Sequence, residues 1–464
     1  MTQRSLAVLA VTSVAVFMSF LDATIVNIAF PSIRASFPEA SLGDLSWVIN
    51  AYNIVFAALL VPAGRLGDRI GRKRVFLGGV VLFLAASVAC GLAPSVGALS
   101  AARVVQAIGA AALVPSSLGL LLPEFPLERR ATATALWGAT GGIAAATGPA
   151  LGGVLVEWAD WRAVFFVNLF IGLPALVPAR RVLREHREEH ASPFPSPVGT
   201  LLLIGAIGSL SLALVQGEDW GWESARIVAA FAASAFLTIA FVVQSARSPR
   251  PVVELALFRV RSFAVANLGA FVFALAFYAL LLSNALFLTG VWHWSTIEAG
   301  FGLTPGPIMA TLCSPLAGRI SDRFGQRVVA APGGLLFALG CALFATRIGA
   351  EPHYVSAFLP ATLLTGAGVG LTFGGFASAA VAELPRSRFS TGSAVFATLR
   401  QIGAVVGIAV LVALLTAGGA DVATFHHVWG LMALAGLGSG AAALALGRVR
   451  ARHVESVADL ALAD

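Results

Sequence analysis

The run LDATIVNIAFP at residues 21–31 places one carboxylate, Asp22, in the middle of an apolar stretch. Burying a charge in such surroundings costs several kcal/mol or more unless it is paired, hydrated or protonated. Of the 23 acidic residues, Asp22 is the only one placed deep in an apolar segment, while Glu157, Glu298 and Glu383 fall near segment ends. The chemistry on offer is proton carriage, because desolvation favours a neutral acid and hydration favours its ion. Arg103 lies inside another apolar segment, and a guanidinium does not escape burial by losing its proton. It needs an acceptor, and Asp22 is the natural one. Pairing would hold the carboxylate charged, and separation by substrate or conformational change would favour its protonation. Arg400, also within an apolar segment, implies a partner or an anionic ligand. Asn27, Asn50, Asn53, Gln106, Asn168, Arg400 and Gln401 are candidates to line a substrate cavity, as are Asn267 and Asn284. Each of the neutral ones reads equally well as a hydrogen bond between helices.

Elements of a particular kind must position these groups. The chain has 464 residues, 58% hydrophobic and 11% charged. A soluble domain carries about 25% charged residues. The expected fold is an all-α polytopic membrane protein, since spanning β-strands would show only short alternating segments. Fourteen segments are long enough to span: 7–30, 45–63, 75–92, 98–121, 133–156, 161–179, 198–216, 226–245, 263–289, 299–317, 328–346, 355–381, 391–416 and 428–447. With both termini inside, 24 of the 30 Lys and Arg fall on the inner side. Arg34, Arg162, Arg226 and Arg347 fall outside, and Arg103 and Arg400 lie within segments. That asymmetry satisfies the positive-inside rule, and an odd number of spans would scramble it. It sets Asp22 about 12 Å and Arg103 about 8 Å below the same outer surface. All tryptophans except Trp137 fall near outer segment ends, as an interfacial belt would.

Composition also excludes. The net charge of +7 reports topology, so nucleic acid is not an expected partner. The partners are the bilayer, protons and a small-molecule substrate, and the chain is expected to be a monomer. Cys90, Cys313 and Cys341 lie in apolar segments and read as free thiols. The N-terminal apolar run has no small-residue cleavage site after it and reads as a full span. All seven histidines are placed in loops or tails, so proton carriage falls to Asp22. His186 and His190 are four apart but have no cysteine beside them, so no metal site is expected. The one lysine, Lys73, lies in a loop, which excludes a phosphate-binding P-loop and an intramembrane Schiff base. Neither HExxH nor GxSxG occurs, and no enzyme is expected. Sparse, asymmetric charge argues against a channel. No cofactor is implied beyond the proton gradient.

One repeat organises the chain. Residues 64–73 read GRLGDRIGRK and residues 318–327 read GRISDRFGQR, each after the second segment of a presumed half. The halves look like parallel repeats of six helices, segments 1–6 and 9–14. The predicted organisation is a six-helix lobe at 1–179, a cytoplasmic linker at 180–197, a central two-helix insert at 198–245, and a second six-helix lobe with a short cytoplasmic tail at 246–464.

These stretches resemble the major facilitator superfamily, in particular its fourteen-helix drug:proton antiporter branch. The 64–73 signature resembles the family's loop between helices two and three. LSAARVVQAIGAA at 99–111 resembles its fourth-helix motif, GPALGG at 148–153 its fifth-helix antiporter motif, and WRAVFFVN at 161–168 the start of its sixth helix. Two pseudo-symmetric lobes in the cell membrane are implied. Gating roles are implied for Gly64, Asp68, Arg69, Gly71 and Arg72, for the second copy at Gly318, Asp322 and Arg323, and for Gly148, Pro149, Gly152 and Gly153. Asp68 would face the start of segment thirteen, capped by Ser390–Thr391. The function implied is proton-coupled export of amphipathic molecules such as drugs or antibiotics by alternating access. Proton-coupled import of a specific solute is the alternative.

Overall fold

A computed structural model describes residues 3–187, 194–384 and 388–446. Side chains at 127–132, 134, 135, 322 and 390 are outside the described residues. So are Arg386, His190 and the C-terminal Arg448, Arg450 and Arg452. Among the described residues there is no strand.

The helices are α1 Gln3–Ser36, α2 Leu42–Ile70, α3 Arg72–Gly91, α4 Val96–Leu121, α5 Leu127–Trp158, α6 Ala163–Val182, α7 Pro197–Val215 and α8 Gly217–Trp220. They continue as α9 Ala225–Arg247, α10 Arg261–Gly290, α11 Thr296–Leu303, α12 Pro305–Phe324, α13 Arg327–Arg347, α14 Leu359–Ala382, α15 Phe389–Gly418 and α16 Val422–Leu444. Among the described residues, thirteen helices are long and apolar enough to cross a membrane. The segment expected at 299–317 differs: it divides between the eight-residue α11 and α12. Pro305 begins the second piece, and Arg319, Asp322 and Arg323 dilute the apolarity of its last turns.

The chain divides into two compact units, Met1–Thr200 with Trp294–Thr304, and Leu201–His293 with Pro305–Asp464. In the first, α4 packs on α1, α2 and α3, while α6 packs on α1 and α3 and α5 lies against α1. In the second, α14 packs on α10, α12 and α13, while α16 packs on α10 and α13 and α15 lies against α10. The pairing scheme is the same when α1–α6 are matched to α10 and α12–α16. Leu201, Phe236 and Ile239 on α7 and α9, and Phe170 on α6, leave large apolar side chains uncovered. A hydrocarbon environment suits them.

Four sequence expectations are corrected. The signature at 64–73 is mostly helical, because α2 runs on to Ile70 and only Gly71 interrupts before α3. Apolarity ends several residues before the helix does. Gly71 has φ +114° and Gly325, the matching position in the second copy, has φ +92°, a backbone state open mainly to glycine. The start of α15 is Phe389 with Arg388 at the cap, so Ser390 and Thr391 do not cap it. Arg388 instead holds Glu254 with Nη1 2.6 and 2.7 Å from its two oxygens. His426 and His427 lie in the first turns of α16, and His426 Nε2 is 2.6 Å from the Ile348 carbonyl. Trp161 and Trp429 are fully buried and so are not interfacial, with Nε1 donating to Ser36 Oγ and Asn284 Oδ1 respectively.

Helix starts follow local chemistry. Ser41 and Asp44 form a reciprocal capping box on α2, and Ser95 and Ser224 cap α4 and α9. Asp421 accepts the Thr424 N–H at 2.8 Å, and that bond holds its carboxyl below the usual range near 3.8. A lowered folded-state value means the cap's contribution is complete above the unfolded value and is lost as pH falls through the folded one. Hydrogen exchange should therefore show Asp421→Ala speeding exchange at the Thr424 amide at neutral pH, with Asp421→Asn close to wild type. Acidification should bring wild type towards the Ala variant.

Candidate functional site

Five helices of the first unit converge on Asp22. Besides α1, each supplies residues three or four apart, the spacing that puts them on one helix face. They are Arg103 and Gln106 from α4, Ser87 and Cys90 from α3, Phe165 and Asn168 from α6, and Val48 and Tyr52 from α2. Asp22 on α1 is 0% exposed and Arg103 1%. Arg103 Nη1 lies 2.5 Å from Asp22 Oδ2. Gln106 Nε2 donates to Asp22 Oδ1 at 2.9 Å and Asn168 Nδ2 to the same oxygen at 3.3 Å. Three donors therefore serve the carboxylate.

The guanidinium is equally provided for. Its Nε donates to the Val48 carbonyl at 3.1 Å and Nη1 donates to Gln106 Oε1 at 2.6 Å. Its centre sits 4.1 Å from the middle of the Tyr52 ring and 5.7 Å from that of Phe165, within cation–π range. Ser87 Oγ accepts from Gln106 at 2.9 Å and from Asn168 at 3.3 Å, and donates to its own helix at Phe83. The Cys90 thiol approaches Gln106 Oε1 at 3.7 Å.

This arrangement can respond to a proton. A charged Asp22 needs donors, and it has them. A protonated Asp22 needs an acceptor as well. Side-chain amides offer either face by rotating. Asn168 Oδ1 is buried with no hydrogen-bond partner among the described residues, so an acceptor stands next to the acid.

The structure brings Asp22 and Arg103 together, as the topology required. Gln106 and Asn168, expected as cavity-lining candidates, lie on the carboxylate itself. Asn27 bonds back to its own helix at Ala23, and Asn50 and Asn53 are buried on α2. Both side-chain polar atoms of Asn50 lack a hydrogen-bond partner among the described residues. Arg400 and Gln401 belong to the second unit, near Tyr278. Ser87 and Tyr52 are the residues that composition did not point out. The signal was faint: Ser87 falls three residues before Cys90, and Tyr52 is one of three tyrosines.

The signature residues are anchored within the first unit. Arg72 spans Asp68, with Nε and Nη2 at 2.9 and 2.8 Å from Oδ1, and the Gly119 carbonyl at the end of α4, 2.9 Å from Nη1. Lys73 Nζ donates to the Arg180 carbonyl at 2.7 Å. Arg69 is exposed. Gly64 makes only ordinary contact with Pro115, and Gly318 is open. Arg323 lies over Phe324, and the Asp322 side chain is outside the described residues. On α5, a methyl at Gly148 would strike Thr24 of α1, one at Gly152 would strike Ile25 and Ile28, and one at Gly153 would strike the Thr296 carbonyl of α11. The Pro149 carbonyl meets Gly300 of α11. Small residues thus let α1 and α11 approach α5 at backbone distance.

The family model for the Major Facilitator Superfamily matches residues 12–260 and 266–461. The chain belongs to this superfamily. It is a multi-pass membrane transporter and not an enzyme. It is similar to multidrug resistance protein Stp of Mycobacterium tuberculosis, 35% identical over 90% of this chain and 77% of the relative. It also resembles the tetracenomycin C resistance and export protein of Streptomyces glaucescens, at 33% identity over 90% and 77%. Multidrug export protein EmrB of Haemophilus influenzae is 31% identical over 85% and 77%. Among the described residues of this superfamily member, no cluster of His, Cys, Asp or Glu could hold a metal ion.

A buried pair leaves an uncompensated charge when one member goes, at a cost of about 3–5 kcal/mol. Thermal unfolding in detergent should show Asp22→Ala and Arg103→Ala each strongly destabilised. The double variant should lose less than the two singles combined, by more than about 1 kcal/mol. Strict additivity would contradict a direct pair.

Proposed function

We propose that the chain is a proton-coupled efflux antiporter for amphipathic small molecules such as drugs or antibiotics, working by alternating access. The observation that carries this reading is the single mid-span carboxylate, held between a guanidinium and two amides that accommodate either protonation state. The relatives' names, multidrug resistance and antibiotic export, support the direction and the substrate range.

In this reading a proton from outside neutralises Asp22 when the pair parts and reaches water. The neutral acid crosses in the dry state and releases its proton inside, where Arg103 recaptures the carboxylate. Each charge moved down the membrane potential supplies about 2.3 kcal/mol per 100 mV. One carboxylate makes one proton per substrate the simplest exchange. No cofactor enters.

The architecture proposed is fourteen spans, with α11 and α12 forming the tenth. There are two pseudo-symmetric six-helix lobes and, between them in sequence, a two-helix insert, α7 and α9. The protein is a monomer in the cell membrane with both termini cytoplasmic. The parallel pairing schemes of the two units and the positive-inside tally support this. Asp68, Arg69 and Arg72 are the cytoplasmic gate. Gly148, Pro149, Gly152 and Gly153 provide the close-packed surface that lobe movement needs.

Expression in an efflux-deficient bacterium against a compound panel tests the whole. Asp22→Asn should abolish gradient-driven dye efflux and return resistance to the level of the empty vector. Wild-type efflux in that variant would remove Asp22 from the coupling step. Accumulation of a compound, with export of none, would turn the reading into import.

A further inference from the structure

The second unit carries one charge in the middle of its long apolar helices. Arg400 lies roughly 16 Å along α15 from its first residue, at 1.5 Å per residue. It keeps its proton at any physiological pH. Arg103 met the same difficulty with Asp22, but Arg400 has no such answer. Helices α7, α9, α10, α13, α14, α15 and α16 contain no Asp or Glu. Elsewhere in this unit, α12 carries Asp322 in its last turn, with its side chain outside the described residues, and the short α8, which touches α15, carries Glu218 and Asp219. Among the described residues, no carboxylate forms an ion pair with Arg400.

What surrounds it is aromatic. Arg400 is half-buried, with Nη1 3.5 Å from Tyr278 Oη and the guanidinium centre 5.5 Å from the middle of the Phe373 ring. Tyr278 donates to Gln401 Oε1 at 3.2 Å, which turns the lone pairs of its oxygen towards Arg400. Phe373 packs edge-on against Phe273 and Phe277, and Phe277 against Tyr278. A guanidinium has five N–H donors. A long contact to one phenol leaves most of this fork unused by protein.

We propose that Arg400, with Tyr278 and the Phe277 and Phe373 rings, recognises the acidic group of an anionic aromatic substrate, a carboxylate or phenolate on an aromatic scaffold. The proposal rests on the export reading and narrows its substrate class. A carboxylate fits the planar fork with two parallel hydrogen bonds, and the attached ring meets the phenylalanine edges. The charge balance selects against cations. Asp22 and Arg103 neutralise one another, whereas among the described residues no carboxylate offsets Arg400.

The test uses the full-length protein in lipid nanodiscs without a gradient. Fluorescence anisotropy titrates fluorescein, an anionic xanthene, and rhodamine 123, a cationic xanthene whose carboxyl is esterified. Fluorescein should bind wild type at least about tenfold more tightly than rhodamine 123. Arg400→Gln should weaken fluorescein binding about tenfold or more and leave rhodamine 123 unchanged or tighter. Arg400→Lys should keep part of the affinity, and Tyr278→Phe should lose a few-fold. The proposal falls if a well-folded Arg400→Gln binds fluorescein like wild type, if rhodamine 123 binds as tightly as fluorescein, or if fluorescein does not bind. Should Arg400→Gln fail to fold, the dye preference of wild type and the Lys variant decides. Dye retention in cells keeps the two readings separate. Expulsion of rhodamine 123 but not fluorescein retains export and overturns the anionic class. Binding of fluorescein without any export does the reverse.

Discussion

A carboxylate and a guanidinium, both stripped of water, hold the first unit to one arrangement. Neither is tolerable alone in an apolar bundle, and neither is fully served by the other. The remaining valences are met by Gln106, Asn168 and the Val48 carbonyl, and Ser87 accepts from both amides, so five helices must meet at one point. Packing there is thereby tied to protonation. Whatever parts Asp22 from Arg103 also removes the reason for α1, α2, α3, α4 and α6 to stay as they are.

The two mid-span arginines illustrate two answers to one problem. Arg103 is satisfied inside the protein and is closed to water. Arg400 is left half-buried beside rings and a phenol, with no ion pair to a carboxylate among the described residues. Each lies against one of the three tyrosines, Tyr52 or Tyr278, which offers a cation a π face or an oxygen lone pair without adding charge. An internally neutral site can be switched by a proton. A site with a net charge can be filled by a ligand.

Much of this was legible in the amino-acid sequence because hydrocarbon is an unforgiving solvent. An apolar run must be a helix, its flanking arginines report its direction, and a charge inside it stands out. The doubled signature pointed to a repeat, and the helices of the two units pair by the same scheme. Fine boundaries were less legible. At 64–73 and 318–327 the helices outlast their apolar stretches, and a single glycine with positive φ makes each break. Hydropathy has no view of a polar helical turn. Nor does it distinguish a tryptophan at a lipid interface from Trp161 or Trp429, whose indole N–H groups are met inside the bundle.

Asp22 and Arg103 were determined as partners by the sequence itself, through spacing, helix direction and the want of any other deep acid. Tertiary structure alone decided who completes that site. Gln106 and Asn168 were two polar residues among several, and Ser87 and Tyr52 were unmarked. A side chain's role in a bundle depends on the rotation of its helix about its own axis. Sequence fixes depth along the membrane, whereas rotation comes from packing against four neighbours at once. The same reason separates Asn27, turned back onto its own helix, from Asn168, turned onto the carboxylate.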